Sequence, residues 1–321
     1  MAPDSRTLRN AYLAWVAVCI IWGTTYLAIW IALETIPPAL IGALRYVGAG
    51  GIMAIVLLVR GERLPARANW PGLAMLGFLM VVLGNGGVIW AEQWVPSGIA
   101  AVMVATTPFW SNGIESVLPQ GERFTRAGVL GLVIGFSGIL LLVWPDLTAG
   151  GAAGRQFVTG VVAIQVACIG WSLGSIYSRR HAREENAFAA SALQMLFGGL
   201  MMVVIATVRG EWQMLTFTTR SFWAEAYLVL AGSIAGFTAY VYALKHLPIS
   251  TVSLYAYVNP VIAVLVGTLF ASEPFGWRGV AASALVYLGI LVVRRGGKAS
   301  GIREQPEACS LRPLVRLLCG R

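Results

Sequence analysis

Ten apolar stretches, each near the length of a membrane-spanning helix, most limit how this chain can fold. A bilayer core of about 30 Å needs about 20 apolar residues in a helix, and only helices or closed barrels satisfy their backbone there. The chain is 58% hydrophobic and 12% charged, whereas a soluble domain has about 25% charged residues. We predict an all-α integral membrane protein. The predicted spans are 11–33, 38–59, 71–91, 97–118, 126–144, 157–178, 188–208, 222–244, 249–271 and 277–293.

The distribution of Lys and Arg predicts how these spans are oriented. Cytoplasmic loops of membrane proteins carry an excess of Lys and Arg. With the N-terminus inside, 18 of these residues fall in inner loops and the tails and 4 fall in outer loops. The sequence therefore predicts that both termini are cytoplasmic. The excess of basic residues is explained by the membrane surface, and no nucleic-acid partner is expected.

The two halves of the sequence resemble each other. "ALRYVGAGGIMAIVLLVRGE" from Ala43 aligns without gaps to "ALQMLFGGLMMVVIATVRGE" from Ala192. Each half holds five spans, an odd number, so the second half is predicted to enter the membrane from the opposite side. Inverted repeats of this kind can open a shared midplane site alternately to each side. We predict repeats at 1–145 and 157–295, joined by the Gly-rich stretch "DLTAGGAAGRQ" and followed by a basic tail at 296–321.

Two prolines, Pro108 and Pro260, occupy equivalent positions in the fourth and ninth spans. Proline removes a backbone donor and clashes with the preceding turn, although membrane helices tolerate it when neighbouring groups satisfy the freed carbonyls. One interpretation is a simple kink in each helix. The other is a hinge whose freed carbonyls line a cavity together with neighbouring side chains. Those neighbours are Thr106, Thr107, Tyr255, Tyr257 and Asn259.

Five stretches resemble a known family of membrane proteins. "IIWGTTYLAI", "ALRYVGAGG", "GNGGVIWAEQWVPSGIAAVMVATTPFW", "YAYVNPVIAVLVGTLFASEPF" and "GVAASALVYLGIL" resemble the EamA family of the drug/metabolite transporter superfamily, over about residues 11–293. The resemblance implies ten helices in two inverted five-helix repeats around a central cavity. It also implies a secondary transporter in a bacterial-type inner membrane. Such a protein would export amino acids or related small organic metabolites by alternating access.

A small-molecule substrate is expected to bind among polar and aromatic side chains of the spans. Trp22 and Trp171 are equivalent positions deep in the first and sixth spans, where packing is the alternative role. Asn85, Gln165 and Gln194 need hydrogen-bond partners in lipid, which another helix or the substrate could provide. The full predicted cavity is Trp22, Tyr26, Asn85, Trp90, Thr106, Thr107, Gln165, Trp171, Gln194, Tyr240, Tyr255, Tyr257 and Asn259, with Pro108 and Pro260 as hinges.

Charged residues near the spans give further hypotheses. Arg45 lies within the second span; it either snorkels to the surface or caps a helix, or it contacts a substrate carboxylate. Glu92 and Glu115, near the ends of the third and fourth spans, are the candidates for proton coupling, and Glu115 is preferred because it lies closer to the cytoplasm. The first span lacks the midway acid used by small multidrug relatives and has only Glu34 at its outer end. Glu122 and Glu273 are expected to stabilise the N-termini of the fifth and tenth helices through the helix dipole.

An intramembrane enzyme is the alternative from another functional class. It would need a nucleophile with a base, or a metal cluster, yet His181 and His246 fall at span ends and the spans carry no facing acid pair. We therefore predict no catalytic activity, cofactor or metal. An uncoupled facilitator or channel-like permease stays open as an alternative mechanism, although rings of like charge typical of channels are absent from the sequence.

Overall fold

Ten helical segments make up the part of the chain that the structure describes. The computed structural model describes residues 5–119, 126–149, 151–180, 186–247, 252, 254–273 and 276–299, and within them every regular element is a helix. The segments are α1 (Ser5–Ala32), α2 (Pro38–Val59), α3 (Trp70–Leu76, Gly77–Asn85 and Gly86–Ala91), α4 (Ser97–Val104 and Thr107–Val117), α5 (Arg126–Ala149), α6 (Ala152–Arg180), α7 (Ala187–Val208), α8 (Thr219–Tyr227, Leu228–Ala235 and Gly236–His246), α9 (Tyr255–Phe270) and α10 (Trp277–Ala299).

The helices have the length and surface of membrane spans. Seven of them, α1 to α3 and α5 to α8, are long and apolar enough to cross a bilayer, and α9 and α10 contain shorter apolar helices. α4 is divided into two short pieces. Large apolar side chains face outward, among them Val59 at 82% and Val208 at 83% exposure. Such a surface suits lipid rather than water, so the chain is a multi-pass membrane protein, as the sequence predicts.

Helix packing follows the internal repeat. α2 packs along its equivalent α7, and α5 packs along its equivalent α10. α1 contacts α8 and α9, and its equivalent α6 contacts α3 and α4. The same pattern of contacts is therefore obtained when the two five-helix halves are exchanged. The α2–α7 pair and the α5–α10 pair are peripheral, and the other six helices, α1, α3, α4, α6, α8 and α9, lie between them.

Close helix approach depends on equivalent glycines. A Cβ atom at Gly50 of α2 would lie 2.7 Å from the Ala192 carbonyl oxygen of α7, and one at Gly199 of α7 would lie 2.6 Å from the Val47 amide nitrogen of α2. Contacts this short leave no room for a side chain, and small residues are the usual means by which membrane helices pack tightly. The repeat "ALRYVGAGG" thus has a structural role in the α2 to α7 interface.

The connection between the halves differs from the sequence prediction. α5 continues to Ala149 and α6 begins at Ala152, so most of the stretch predicted as a Gly-rich loop is helical. Alanines are strong helix formers, and the Thr148 hydroxyl donates to the Trp144 carbonyl near the end of α5. Gly151, with φ of 91°, adopts the left-handed backbone conformation directly before α6 begins.

Two acidic side chains from loops cap the starts of other helices. Glu273 accepts from the Ser97 and Gly98 amides at 2.8 and 3.1 Å, so it caps α4. The sequence-based expectation that it stabilises the start of α10 is therefore wrong. Glu211 accepts from the Ala39 and Leu40 amides of α2 at 2.9 and 3.2 Å. Unpaired amides at a helix start favour an anion, which these loops provide. Glu122 lies outside the described residues.

Candidate functional site

An aromatic cluster joins α1, α8 and α9. The ring centroids of Trp22 and Tyr255 are 4.9 Å apart, those of Trp22 and Tyr240 are 5.2 Å apart, and those of Tyr240 and Tyr255 are 5.7 Å apart. The Trp22 indole donates to the Gly232 carbonyl at 3.0 Å. All three side chains are partly buried, and aromatic groups packed edge to face attract one another. The structure thus brings three of the predicted cavity residues together.

Asn259 holds α9 to α1 beside this cluster. The carbonyls of Tyr255 and Cys19 lie 3.0 and 3.1 Å from one atom of its side-chain amide, and the amide satisfies both when it is oriented with the nitrogen at that position. The side chain is buried. A buried amide must find partners, and here the helices themselves provide them. Asn259 therefore supports the wall behind the aromatic rings.

Gln165 is the centre of a second cluster, between α4 and α6. Its side-chain oxygen accepts from the Thr106 hydroxyl at 3.0 Å and from the Trp110 indole at 2.9 Å. Its side-chain nitrogen is buried and has no hydrogen-bond partner within the described part of the chain. Trp110 was missed by the sequence analysis because it follows the proline motif as one more apolar residue. This cluster lies on α4 and α6, the equivalents of α9 and α1.

The two prolines act differently in the two halves. α4 is broken before Pro108, which stands in the first turn of the helix Thr107–Val117, where proline is well tolerated. Pro260 instead lies inside the continuous helix α9. Nearby, the Tyr257 carbonyl accepts from the Tyr287 hydroxyl of α10 at 3.0 Å. The sequence predicts equivalent hinges; within the described residues, Pro108 follows a break in α4, whereas Pro260 lies inside the unbroken stretch Tyr255–Phe270.

α3 and α8 each contain a π-helical segment, and the two segments are equivalent in the repeat. They are Gly77–Asn85 and Leu228–Ala235. π-helical turns are rare and are frequent at functional sites. The Asn85 side chain donates to the Met80 carbonyl at 3.0 Å, so this predicted cavity residue satisfies a carbonyl of its own helix.

The equivalent tryptophans each pack against a glycine of these helices. A Cβ at Gly236 of α8 would lie 2.5 Å from Trp22 Nε1, and a Cβ at Gly84 of α3 would lie 3.3 Å from Trp171 Cε3. Each indole therefore occupies the space that a side chain would fill if the glycine were a larger residue. Packing, the alternative role considered for both tryptophans, accounts for part of their contacts.

Other predicted residues lie apart from the two clusters. Tyr26 and Tyr257 pack against the core of α4, α5, α6 and α10. Trp90 packs on Trp94, with centroids 4.6 Å apart, and Gln194 of α7 donates to Met80 of α3 at 3.5 Å. Gln194 therefore bridges α7 and α3, a role that the sequence analysis left open for it.

The two charged candidates are both engaged. Arg45 is 6% exposed, so the snorkelling interpretation is wrong; it donates to Ser233 Oγ at 2.9 Å because the bundle interior offers a closer acceptor than the surface. Glu115 forms an ion pair with Arg180, with N to O distance 3.2 Å, at the edge of the bundle. Glu225 is a buried acid that the sequence analysis did not single out, since one acid near a span end resembles an ordinary flanking charge.

A groove opens on the outside of the bundle between α1, α8 and α9. It has a volume of about 740 Å³ and is lined largely by apolar side chains, including Ile20, Trp223 and Phe270. Within it the Thr24 and Tyr227 hydroxyls are 2.6 Å apart. The predicted cavity residues do not line this groove, so it is a separate surface.

Comparison with known proteins agrees with this architecture. The sequence matches the EamA-like transporter family twice, at residues 9–144 and 158–295. It is 33% identical to the uncharacterized inner membrane transporter YedA of Escherichia coli K12, over 91% of this chain and 92% of that protein. It is 25% identical to the uncharacterized transporter YvbV of Bacillus subtilis, over 94% and 98%. A solved crystal structure covers 91% of this chain and 98% of its own, with a TM-score of 0.60 and 22% identity, and shows the fold.

Proposed function

This chain belongs to the EamA-like transporter family and is a membrane transporter; from this premise we propose that it moves amino acids or related small organic metabolites by alternating access. The relatives are named transporters, so the chain is not an enzyme. Export from a bacterial-type cytoplasm, with both termini inside, is proposed from the resemblance and from the excess of Lys and Arg in the inner loops.

The observation that carries this proposal is the pairing of two clusters on equivalent helices. The Trp22 cluster lies on α1, α8 and α9, and the Gln165 cluster lies on α4 and α6. Each is bordered by a helix with a π-helical segment. Transporters built from inverted repeats bind cargo where the repeats meet, at interrupted helices. The repeats at 1–145 and 157–295 are proposed as the two units that move.

The side chains of the two clusters suit an aromatic or apolar amino acid. The rings of Trp22, Tyr240 and Tyr255 provide apolar faces, over which an ammonium group is also attracted. The buried Gln165 amide nitrogen lacks a partner within the described residues and can donate to a cargo carboxylate. Thr106 and Thr107 belong to the same wall of the proposed cavity.

A thermal-shift screen followed by counterflow tests this function. Purified protein is screened against amino acids, amines, sugars and nucleosides, because a ligand of the folded state raises its stability. The stabilising compound is then loaded into proteoliposomes, and uptake of its labelled form is followed. An alternating-access carrier accumulates label transiently by exchange, whereas a channel-like facilitator, the alternative mechanism, equilibrates without this overshoot.

Matched variants test whether the cargo binds at the two equivalent tryptophans. Trp22→Phe and Trp171→Phe are expected to weaken the thermal shift given by the cargo. Trp277→Phe is the control, since Trp277 is 73% exposed at the start of α10. Equal thermal shifts in all three variants would contradict binding at the tryptophans. A wild-type protein that shows no counterflow with any stabilising compound would contradict the carrier function.

A further inference from the structure

Three ionisable side chains are buried near the ends of α2, α3 and α8. Arg45 is 6% exposed, Glu225 is 6% exposed, and Glu92, directly after α3, is 3% exposed. A charge away from water is costly unless it is paired, and an ionisable residue inside a membrane protein usually has a function. The carboxylates are therefore the side chains whose burial needs an explanation.

Neither carboxylate has a hydrogen-bond partner among the described residues. All four carboxylate oxygens of Glu92 and Glu225 are buried and accept no hydrogen bond from the residues that the structure describes. Within the same residues no ion pair joins either acid to Arg45, although both interact electrostatically with it. If all three groups were ionised, their charges would sum to −1. One bound proton makes the set neutral.

Arg45 has an alternative partner in α8. Its Nε donates to Ser233 Oγ at 2.9 Å, and its Cζ lies 4.9 Å from the centroid of the Tyr46 ring. Glu225 lies on the same helix as Ser233, two turns earlier. The guanidinium can therefore stay with the hydroxyl while Glu225 is protonated, or turn to the carboxylate once the proton has left.

The π-helical segment links this choice to the aromatic cluster. Gly232 and Ser233 are consecutive residues of Leu228–Ala235. The Gly232 carbonyl accepts from the Trp22 indole, and the Ser233 hydroxyl accepts from Arg45. A movement of Arg45 away from Ser233 thus acts one residue away from the hydrogen bond that orients Trp22.

We propose that Glu225 binds and releases the coupling proton, with Arg45 exchanging between Ser233 and the ionised Glu225 carboxylate. This inference rests on the proposed function as a secondary transporter. It assigns the role to Glu225 in place of Glu115, which is paired with Arg180. In this scheme Glu92 keeps its own proton, because its carboxyl is buried and Glu273 opposes a further negative charge beside it.

The ionisable groups around Glu225 come from the packed helices. α2 contributes Arg45 and Tyr46, both of which interact electrostatically with it. On α1, Tyr26 interacts with Glu92 and Arg45, and Glu34 at the end of α1 pairs with Arg220 at 3.3 Å. Among these groups, Arg45 is thus the cation that can stabilise an ionised Glu225.

Labelling with N,N′-dicyclohexylcarbodiimide tests the proton site without any cargo. A protonated carboxyl transfers its proton to one nitrogen of the reagent while its oxygen bonds to the central carbon, and an acyl shift gives a stable N-acylurea with no leaving group. Mass spectrometry of the peptides then reports labelling of each acid between about pH 5 and about pH 9, the range over which shifted carboxyls titrate. Labelling of Glu225 is expected to fall as the pH rises.

Variants make this test specific. Glu225→Gln is expected to lose the label at position 225, and Glu34→Gln, an acid with a partner at the same end of the bundle, is the control that keeps it. Ser233→Ala removes the alternative acceptor for Arg45, so Glu225 should be labelled less at a given pH. A pH-independent yield at Glu225, or label on Glu92 alone, would overturn the proposal. Protection of Glu225 by sodium but not choline chloride would assign a sodium ion instead.

Transport separates this inference from the proposed function. With the cargo found by thermal shift, wild-type proteoliposomes are expected to show counterflow and also accumulation driven by a pH gradient. Glu225→Gln is expected to retain exchange at a reduced rate and to lose the accumulation. Unchanged accumulation in this variant refutes the proton site while the carrier stands. Absence of counterflow in the wild type refutes the proposed function, and the labelling result is then judged by itself.

Discussion

The Thr107 hydroxyl donates to the Val104 carbonyl at 2.6 Å, four residues before Pro108. In a regular helix the amide of residue 108 would donate to that carbonyl, and proline has no amide hydrogen. The Thr-Thr-Pro sequence therefore carries its own replacement for the bond that it removes. In lipid, where no water can donate a hydrogen bond to the freed carbonyl, such a replacement is needed.

Thr107→Val should destabilise the protein. The Val104 carbonyl would lose its hydroxyl donor in a partly buried position and keep only the weak Cys168 thiol at 3.9 Å, at a cost of about 1–3 kcal/mol. Thermal unfolding in detergent measures the change, and Thr107→Ser should restore most of it. Thr159→Val is the matched control, because the Thr159 hydroxyl donates to the Arg155 carbonyl at 2.7 Å on an exposed helix that keeps its backbone donors. Equal losses in both variants would contradict the special role of Thr107.

Gly236→Ala should displace the Trp22 indole. The new methyl would begin 2.5 Å from Nε1 and force the ring away from the Gly232 carbonyl, and overpacking of this kind costs about 1–3 kcal/mol. Gly84→Ala should cost less, because its Cβ would lie 3.3 Å from Trp171. Thermal unfolding ranks the two. Gly51→Ala, where no atom lies within 4 Å, is the control and should be neutral or slightly stabilising.

A double-mutant cycle at Gln165 and Trp110 should reveal coupling. Gln165→Leu leaves the Trp110 indole without its acceptor, while Trp110→Phe removes the donor. Each single change should cost about 1–3 kcal/mol of unfolding free energy, and the double variant less than their sum by about 0.5–3 kcal/mol. Gln213→Leu in an exposed turn controls for loss of an amide. Strict additivity would show that the 2.9 Å contact carries little energy.

Glu273→Gln should loosen the start of α4. The carboxylate accepts from two amides, and replacing an anion at a helix N-terminus costs about 0.5–2 kcal/mol. Hydrogen exchange at residues 97–101 should rise, while exchange at the start of α2, capped by Glu211, should stay unchanged. Glu211→Gln should give the converse pattern. A uniform rise at both helix starts would indicate global destabilisation instead of loss of one cap.

The hydrophobic pattern and the repeat alignment were enough to predict ten helices and to identify Trp22 and Trp171 as equivalent positions in the two halves. They did not predict the π-helical segments, because an apolar run looks alike whether its hydrogen bonds span four or five residues. They also did not identify the partners of Arg45, since Ser233 is 188 positions away in the sequence. The buried state of Glu225 depends on the same three-dimensional contacts. The side chains that were missed are those whose roles come from packing between distant helices.

Pro108→Ala and Pro260→Ala should slow the transport cycle by different physical routes. Alanine at 108 restores an amide that can donate to Val104, in competition with Thr107, so the break between Val104 and Thr107 should close into a continuous helix. Alanine at 260 straightens a helix that is already continuous. If the break in α4 is the larger source of movement, Pro108→Ala should lower the initial counterflow rate more than Pro260→Ala does. The double variant should lower it about tenfold, which corresponds to about 1.4 kcal/mol in the barrier.

Pro145→Ala in α5, outside the two clusters, is the control. Equal rates in the double variant and the wild type would mean that the two prolines serve packing alone.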